Sequence, residues 1–297
     1  MNIVQNRKKY FLLSAIMILS GIIFMIFNSA SGNGAFNYDV EFSGGTSMLI
    51  DIGTEFENYE IASLIRENSD QTNPQIQRIV GTTQVSIKMR SVDDETRIAI
   101  TDAFKQKYGI KDSDFSIDYF SPTIGTEMQI SAFVAVLCAC FFMLIYITVR
   151  FRGFKTGAST VLALIHDALV VLAAFAILRI PLNYAFIASI LTVLGYSINS
   201  SIFVFDRIRE NRKILKDADE EILINASINQ SVVRAINTSV STLLVIICLF
   251  LFGVNSIRDF ALPIIIGIIC GTYSSIFLAG SFLYILSSKN STNANQN

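Results

Sequence analysis

Apolar residues in this chain gather into six long runs separated by polar stretches. The runs cover approximately 11–27, 129–149, 157–178, 182–205, 235–254 and 260–286. A helix that crosses a bilayer needs about 20 apolar residues, so each run predicts a membrane-spanning helix. The first run follows Arg7, Lys8 and Lys9 and could pass for a signal peptide. Its apolar core is long for that purpose. Five further spans follow, so it is read as an uncleaved anchor, although the residues around Ala30 could mimic a cleavage site.

The longest polar interval, 37–128, has a different rhythm. After Gly44-Gly45, segment 38–52 carries a strand-like apolar run. Segment 56–68 places Phe56, Tyr59, Ile61, Leu64 and Ile65 at near-helical spacing. Segments 75–80 and 84–89 alternate with period two around a Gly81-Thr82-Thr83 turn. Segment 95–108 is helical again, and 114–120 alternates through Phe115, Ile117 and Tyr119. The order βαββαβ predicts a small α+β domain of the ferredoxin-like kind. About 90 residues are enough for such a domain to fold independently.

Charge adds direction to this picture. Of the 297 residues, 52% are apolar and 16% charged, against about 25% charged in a soluble domain. The formal net charge is −1, which argues against a nucleic-acid binder. That near-zero total hides a division. Segment 37–128 holds 8 Lys and Arg against 16 Asp and Glu. With the N-terminus inside, the inner segments collect thirteen Lys and Arg, while the short outer loops hold only Arg179 and Arg258. Cationic loops stay in the cytoplasm. The expected organisation is therefore a cytoplasmic N-terminus with the first span over 1–36 and an extracytoplasmic domain over 37–128. Spans two to six follow over 129–289, with a cytoplasmic loop at 206–234. Within that loop, 212–221 reads as an amphipathic or solvated connector. A polar, disordered cytoplasmic tail is expected over 290–297.

The candidate chemistry is sparse. Cys138, Cys140, Cys248 and Cys270 lie in apolar runs without metal-ligand spacing and read as small buried hydrophobes. With His166 the only histidine, no metal or cofactor is expected. No Gly-x4-Gly-Lys-Ser/Thr pattern occurs, so ATP hydrolysis within this chain is not expected. Asp167 is the one full charge at mid-span. Placing a carboxylate there costs about 2.5–3.5 kcal/mol, so it requires a partner, a water path or protonation. It is either an ion- or proton-relay group or a structural hydrogen-bonding residue between helices. Its neighbour His166 points about 100° away on the helix and is the weaker candidate. The fourth run contains Gly195-Tyr196-Ser197-Ile198-Asn199-Ser200, where Tyr196, Asn199 and Ser200 share a face at i, i+3, i+4. That stripe can bond helices together or line a water path. Asn237 and Ser241 offer a second polar face. The charged run Asp206-Arg207-Ile208-Arg209-Glu210 either anchors the span end or sends an arginine toward the carboxylate. Gly267 and Gly271 have the GxxxG spacing of helix packing.

Several of these fragments together resemble the SecF branch of the SecD/SecF family of bacterial protein-export membrane proteins. The similarity runs from the first span to the sixth. Its most specific piece is Gly195-Tyr196-Ser197-Ile198-Asn199 leading into Phe205-Asp206-Arg207-Ile208-Arg209-Glu210-Asn211. Phe42-Ser43-Gly44-Gly45-Thr46 is similar to the family's Phe-x-Gly-Gly motif. His166-Asp167 and Arg234-Ala235-Ile236-Asn237-Thr238-Ser239 stand at family positions. The resemblance implies a fold of the resistance–nodulation–division superfamily and a non-enzymatic subunit of the bacterial cytoplasmic membrane. There, ion flow down the proton-motive force would move extracytoplasmic domains that handle emerging polypeptide. Carried over by position, Asp167 is the ion-coupling carboxylate, with Asn199 and Ser200 nearby and Arg207 or Arg209 as its helper. Implied partners are a SecD-like subunit, the SecYEG channel, the SecA ATPase, an unfolded secretory polypeptide and the lipid bilayer.

Two positions depart from the pattern. Ser200 stands where the family often has Asp, so a second intramembrane carboxylate is absent. Phe120-Ser121-Pro122 replaces the usual Val-Gly-Pro before span two. The alternative reading is half of a small-molecule or lipid exporter of the same superfamily. An intramembrane aspartyl protease would need two carboxylates sharing a site, and the spans offer Asp167 alone.

Overall fold

The computed structural model describes residues 2–70, 74–79, 81–216 and 218–294. The chain divides into two compact units. The first comprises Met1–Asn37, Val134–Ile180 and Ala185–Asn297, the second Tyr38–Phe133 and Pro181–Tyr184. Among the described residues, six helices are long and apolar enough to cross a membrane: Arg7–Ala30, Pro122–Phe151, Phe154–Leu178, Tyr184–Ile214, Glu220–Phe252 and Ser256–Ser288.

The second unit holds the predicted sheet. A single helical turn, α2 (Val40–Ser43), precedes β1 (Gly45–Asp51). Then come α3 (Asn58–Glu67), β2 (Gln75–Arg78), β3 (Gln84–Met89), α4 (Asp94–Tyr108) and β4 (Phe115–Phe120). The strand order is β2-β3-β1-β4 and every pairing is antiparallel, the ferredoxin-like arrangement expected from the βαββαβ order. Val80, placed in the second strand from sequence, lies outside the described residues. Alternation puts Met48 and Ile50 of β1 and Val85 and Ile87 of β3 on one face. There they bury against Ile61 and Ile65 of α3 and Ile100 and Phe104 of α4. Local signals set the helix ends. The Asp93 side chain accepts from the Thr96 N–H at 3.0 Å, and Gly109 closes α4 in the left-handed region at φ 69°.

The Gly44-Gly45 pair now has a physical reason. Gly44 sits at φ 79° and Gly45 at φ 153°. A Cβ on Gly44 would lie 2.7 Å from Pro122 Cγ, and one on Gly45 would lie 2.5 Å from the Met89 carbonyl oxygen. The pair turns the chain out of α2 into β1 where no side chain fits. Gly125 similarly packs on the Phe42 carbonyl, and Gln129 donates to that oxygen at 3.0 Å. Residues 181–184 belong to this unit through backbone contact. Tyr38 bridges Leu182, and the Asp39 N–H donates to the Leu182 carbonyl at 3.0 Å.

The first unit is helical: α1 (Arg7–Ala30), the body of α5 (Pro122–Phe151), α6 (Phe154–Leu178), most of α7 (Tyr184–Ile214), α8 (Glu220–Phe252), α9 (Asn255–Tyr273), a π-helical turn Ser274–Leu278, and α10 (Ala279–Ala294). Close approach rests on glycines. A Cβ on Gly21 of α1 would stand 2.3 Å from Ala173 of α6, and one on Gly267 of α9 would stand 2.3 Å from Val193 of α7. The α1 and α6 ends are also tied. Arg179, in the left-handed region at φ 55°, donates to the Gly34 and Asn33 carbonyls at 2.8 and 2.7 Å.

Two expected boundaries change. The loop at 206–234 is largely helix, because α7 runs on to Ile214 and α8 begins at Glu220. Hydropathy marks where a helix leaves an apolar setting, but no Gly or Pro occurs between 206 and 214 or between 220 and 234 to end the hydrogen-bond ladder. Only 215–219 connects the two helices, and Asp217 within it lies outside the described residues. The tail reading of 290–297 also shifts. Helix α10 continues to Ala294, since extending a formed helix adds one hydrogen bond for each residue fixed. Residues 295–297 lie outside the described residues.

Candidate functional site

Asp167 lies in the middle of α6 and is fully buried. Its Oδ2 accepts two hydroxyl bonds, from Ser197 Oγ of α7 at 2.5 Å and from Ser274 Oγ at 2.8 Å. Its Oδ1 faces His166 Nδ1 at 3.0 Å. Three helical segments therefore converge on one carboxyl group. Their close approach requires small residues. A Cβ on Gly271 would meet Ser197 Oγ at 3.0 Å and Asp167 Oδ2 at 3.5 Å, so glycine there leaves the carboxyl room. Ser274 opens the π-helical turn. Such turns occur frequently at functional sites, and this one delivers a hydroxyl to the carboxylate.

Further polar contacts flank the site. Tyr196 OH donates to Ser239 Oγ at 3.2 Å, and Thr272 Oγ1 donates to the same oxygen at 2.7 Å, joining α7, α8 and α9. Ser189 Oγ donates to the Phe260 carbonyl at 2.8 Å. On the far side of His166, the Tyr273 ring lies 6.2 Å away, centroid to centroid, and its hydroxyl donates to the Tyr10 carbonyl at 2.9 Å.

The charged motif after the fourth span forms a separate cluster. Arg207 Nε donates to Gln230 Oε1 at 2.6 Å and its Nη1 to Glu210 at 2.8 Å. Asn211 Nδ2 donates to Gln230 and to Ser227, both at 2.9 Å. Asp206 meets Arg150 at 3.5 Å. Arg209 is exposed, 5.9 Å from the Phe151 ring centre, and Arg234 lies 5.7 Å from that of Phe203. Neither Arg207 nor Arg209 is brought to Asp167 in this structure. Arg207 is committed to α8 instead, about three turns of α7 beyond Ser197.

The predicted polar stripe of α7 also divides. Ser200 is buried and Tyr196 half-buried, while Asn199 is exposed together with Gly195. Neighbouring residues differ by 100° around a helix, and the edge of the packed face falls between positions 199 and 200. A Cβ on Gly195 would meet nothing within 4 Å. Asn237 is exposed on α8. Sequence reasoning overlooked Ser274. The signal available was its position three residues after Gly271, one turn along the small-residue face.

A model of the family "Protein export membrane protein SecD/SecF, C-terminal" matches residues 99–289. The chain belongs to the SecD/SecF family. It is 37% identical over 285 residues to protein translocase subunit SecF of Thermodesulfovibrio yellowstonii, covering 94% of this chain and 93% of that protein. It is 34% identical over 281 residues to protein translocase subunit SecF of Haemophilus influenzae, covering 94% of this chain and 83% of that protein. The crystal structure of SecDF, a translocon-associated membrane protein from Thermus thermophilus, matches with a TM-score of 0.77 at 32% identity. That match covers 98% of this chain and 39% of the other, so the chain spans well under half of that SecDF. As a SecD/SecF family member with six spanning helices, the chain is a multi-pass membrane protein of protein export.

Proposed function

We propose that this chain is the SecF-like member of an accessory complex of the Sec export machinery in the bacterial cytoplasmic membrane. In this reading Asp167 binds and releases the coupling ion, a proton drawn by the proton-motive force. The resulting change in the packing of α6, α7 and α9 moves the extracytoplasmic unit, which acts on emerging polypeptide. No catalytic chemistry is involved. The observation that carries the reading is a fully buried carboxylate held by two serine hydroxyls and an imidazole at the junction of α6, α7 and the π-helical turn. Charging or neutralising such a group changes what its neighbours must supply, because an unpaired charge in a low-dielectric interior is costly.

The orientation rests on the inner excess of Lys and Arg and on parity. Segment 38–133 and residues 181–184 share one compact unit, and with six spans the interval after the first and the interval after the third emerge on the same side. A basic inner face supports the reading that the acidic unit lies outside. The partner is a SecD-like six-span subunit. Ala188, Thr192, Gly195 and Asn199 form an exposed stripe on α7, and Asn237 is exposed on α8. Small and polar positions on an open face of a spanning helix suit a second helical bundle better than lipid. SecYEG, SecA and the secretory polypeptide enter through that complex.

Asp167→Asn keeps the shape of the site, turns one acceptor oxygen into an amide donor and removes the charge. The variant is expected to insert in the membrane at wild-type level and to lose stimulation of secretion. Wild-type secretion in cells carrying only Asp167→Asn would overturn the coupling role.

A further inference from the structure

We propose that His166 is the relay through which protons reach and leave Asp167, which rests on the reading of Asp167 as the coupling carboxylate. The two carboxyl oxygens are served differently. Oδ2 is occupied by the Ser197 and Ser274 hydroxyls at 2.5 and 2.8 Å, while Oδ1 meets only the imidazole, at 3.0 Å, among the contacts of the described residues. A carboxylate can only accept, so with Asp167 ionised the His166 Nδ1 carries the hydrogen. The other ring nitrogen, Nε2, is buried and has no hydrogen-bond partner among the described residues, in a side chain that is 6% exposed. A buried polar atom left without a partner is costly in a settled core. Here it is the outer end of a two-nitrogen path that terminates on the carboxylate.

The chemistry balances over one transfer. A proton bonds to Nε2, the Nδ1–H bond breaks, and that hydrogen bonds to Oδ1. The products are a neutral imidazole protonated on Nε2 and a carboxylic acid, with one proton gained by Asp167. The reverse sequence releases it. Serine hydroxyls can hold the carboxylate but do not exchange protons near neutral pH, whereas imidazole does. Adjacent positions on a helix diverge by about 100°, yet these two side chains bend to meet, which a merely space-filling histidine does not require. The titratable groups packed around the pair are Tyr273 and Cys270 of α9 and, beyond Tyr273, Tyr10 of α1. The Tyr273 hydroxyl is already spent on the Tyr10 carbonyl.

The test uses the chain together with the subunit that co-purifies with it, reconstituted in vesicles carrying an internal pH dye. Potential-driven proton flux is followed across the neutral range. His166→Gln keeps an N–H donor for Oδ1 but cannot take a proton on one atom and give it from another. It is expected to lower flux about a hundredfold and to flatten its pH profile. His166→Ala is expected to lose flux and to regain it with added imidazole, a rescue that restored packing alone would not give. Wild-type flux and pH profile in His166→Gln overturn the relay. Asp167→Asn separates the two claims. If it abolishes flux while His166→Gln retains it, only the relay falls; if both variants conduct normally, the coupling role of Asp167 falls with it.

Discussion

Two carboxylates in this molecule accept a hydroxyl at the same distance in opposite surroundings. Asp51, at the end of β1, accepts from Thr83 Oγ1 at 2.5 Å at the water-facing edge of the sheet unit. Asp167 accepts from Ser197 Oγ at 2.5 Å with no exposure at all. The same contrast extends to the two interiors. The sheet unit buries an apolar cluster of methionine, isoleucine, valine and phenylalanine and, apart from Asp39 paired with Lys88, keeps its described charged side chains out of the buried interior. The helical unit also has apolar clusters, yet it buries His166, Asp167 and a series of serines, including Ser189, Ser197, Ser201, Ser274 and Ser281. In water, burying apolar surface drives assembly. In lipid the surroundings are as apolar as leucine, and helices associate through close packing and hydrogen bonds. Each interior is thus stabilised by what its own solvent cannot supply.

The sharpest way to break that contrast is to remove bulk from the apolar interior. Phe104 of α4 is fully buried in the sheet unit. Phe104→Ala is expected to destabilise that unit by about 3–5 kcal/mol, read as a shift in its thermal unfolding followed within the intact protein. In the helical unit the corresponding sensitivity is to added bulk. A Cβ on Gly267 already lies 2.3 Å from Val193. Gly267→Ile is therefore expected to cost about 1–3 kcal/mol, measured by unfolding in detergent. If Gly267→Ile is neutral, close approach of α9 to α7 does not hold the bundle together.

A smaller effect tests whether hydrogen bonds in the bundle are mainly structural. Ser274→Ala removes one of the two hydroxyls on Asp167 Oδ2. Side-chain bonds between spanning helices average about 0.6 kcal/mol, so unfolding in detergent should shift by about that amount. Stimulation of secretion should fall by much more than stability does. Parallel losses in both would make Ser274 a packing residue only.

The spacing of apolar residues announces both interiors with different completeness. The six spans and the βαββαβ order are legible because period and run length report solvent directly. Asp167 is legible because charge is rare at its depth. Ser274 and the direction of Arg207 are not. A serine in an apolar helix has the same appearance whether it bonds its own backbone or a carboxylate on another helix. That choice depends on the π-helical turn and on Gly271, which no local period reveals. Arg207 follows the span within a conspicuous motif, but its partner Gln230 lies on another helix, where side-chain reach rather than spacing decides. The helical continuation through 206–214 was hidden for a related reason: loss of hydrophobicity marks an environment, not the end of a hydrogen-bond ladder.

The smallest expected effect concerns acid. Asp51 has its pKa lowered by hydrogen bonds from the Thr83 hydroxyl and the Gly53 N–H, and Asp93 has its pKa lowered by the Thr96 bonds that cap α4. A carboxyl whose pKa is lower when folded gives stability that is present above its unfolded value, about 3.9, and is lost as pH falls through the folded value. The sheet unit should therefore hold constant stability from these two groups near neutrality and weaken only below about pH 4. Hydrogen exchange of the β1–β3 and α4 amides, measured as pH is lowered, checks the direction. Thr83→Val should remove part of the acid sensitivity of the β1–β3 end, and Asp93→Asn should remove part of that of α4, since Asn caps a helix without titrating. If acid sensitivity of these amides persists unchanged in both variants, the solvent-edge carboxylates do not set the acid response of the sheet unit. Their contrast with Asp167 would then reduce to burial alone.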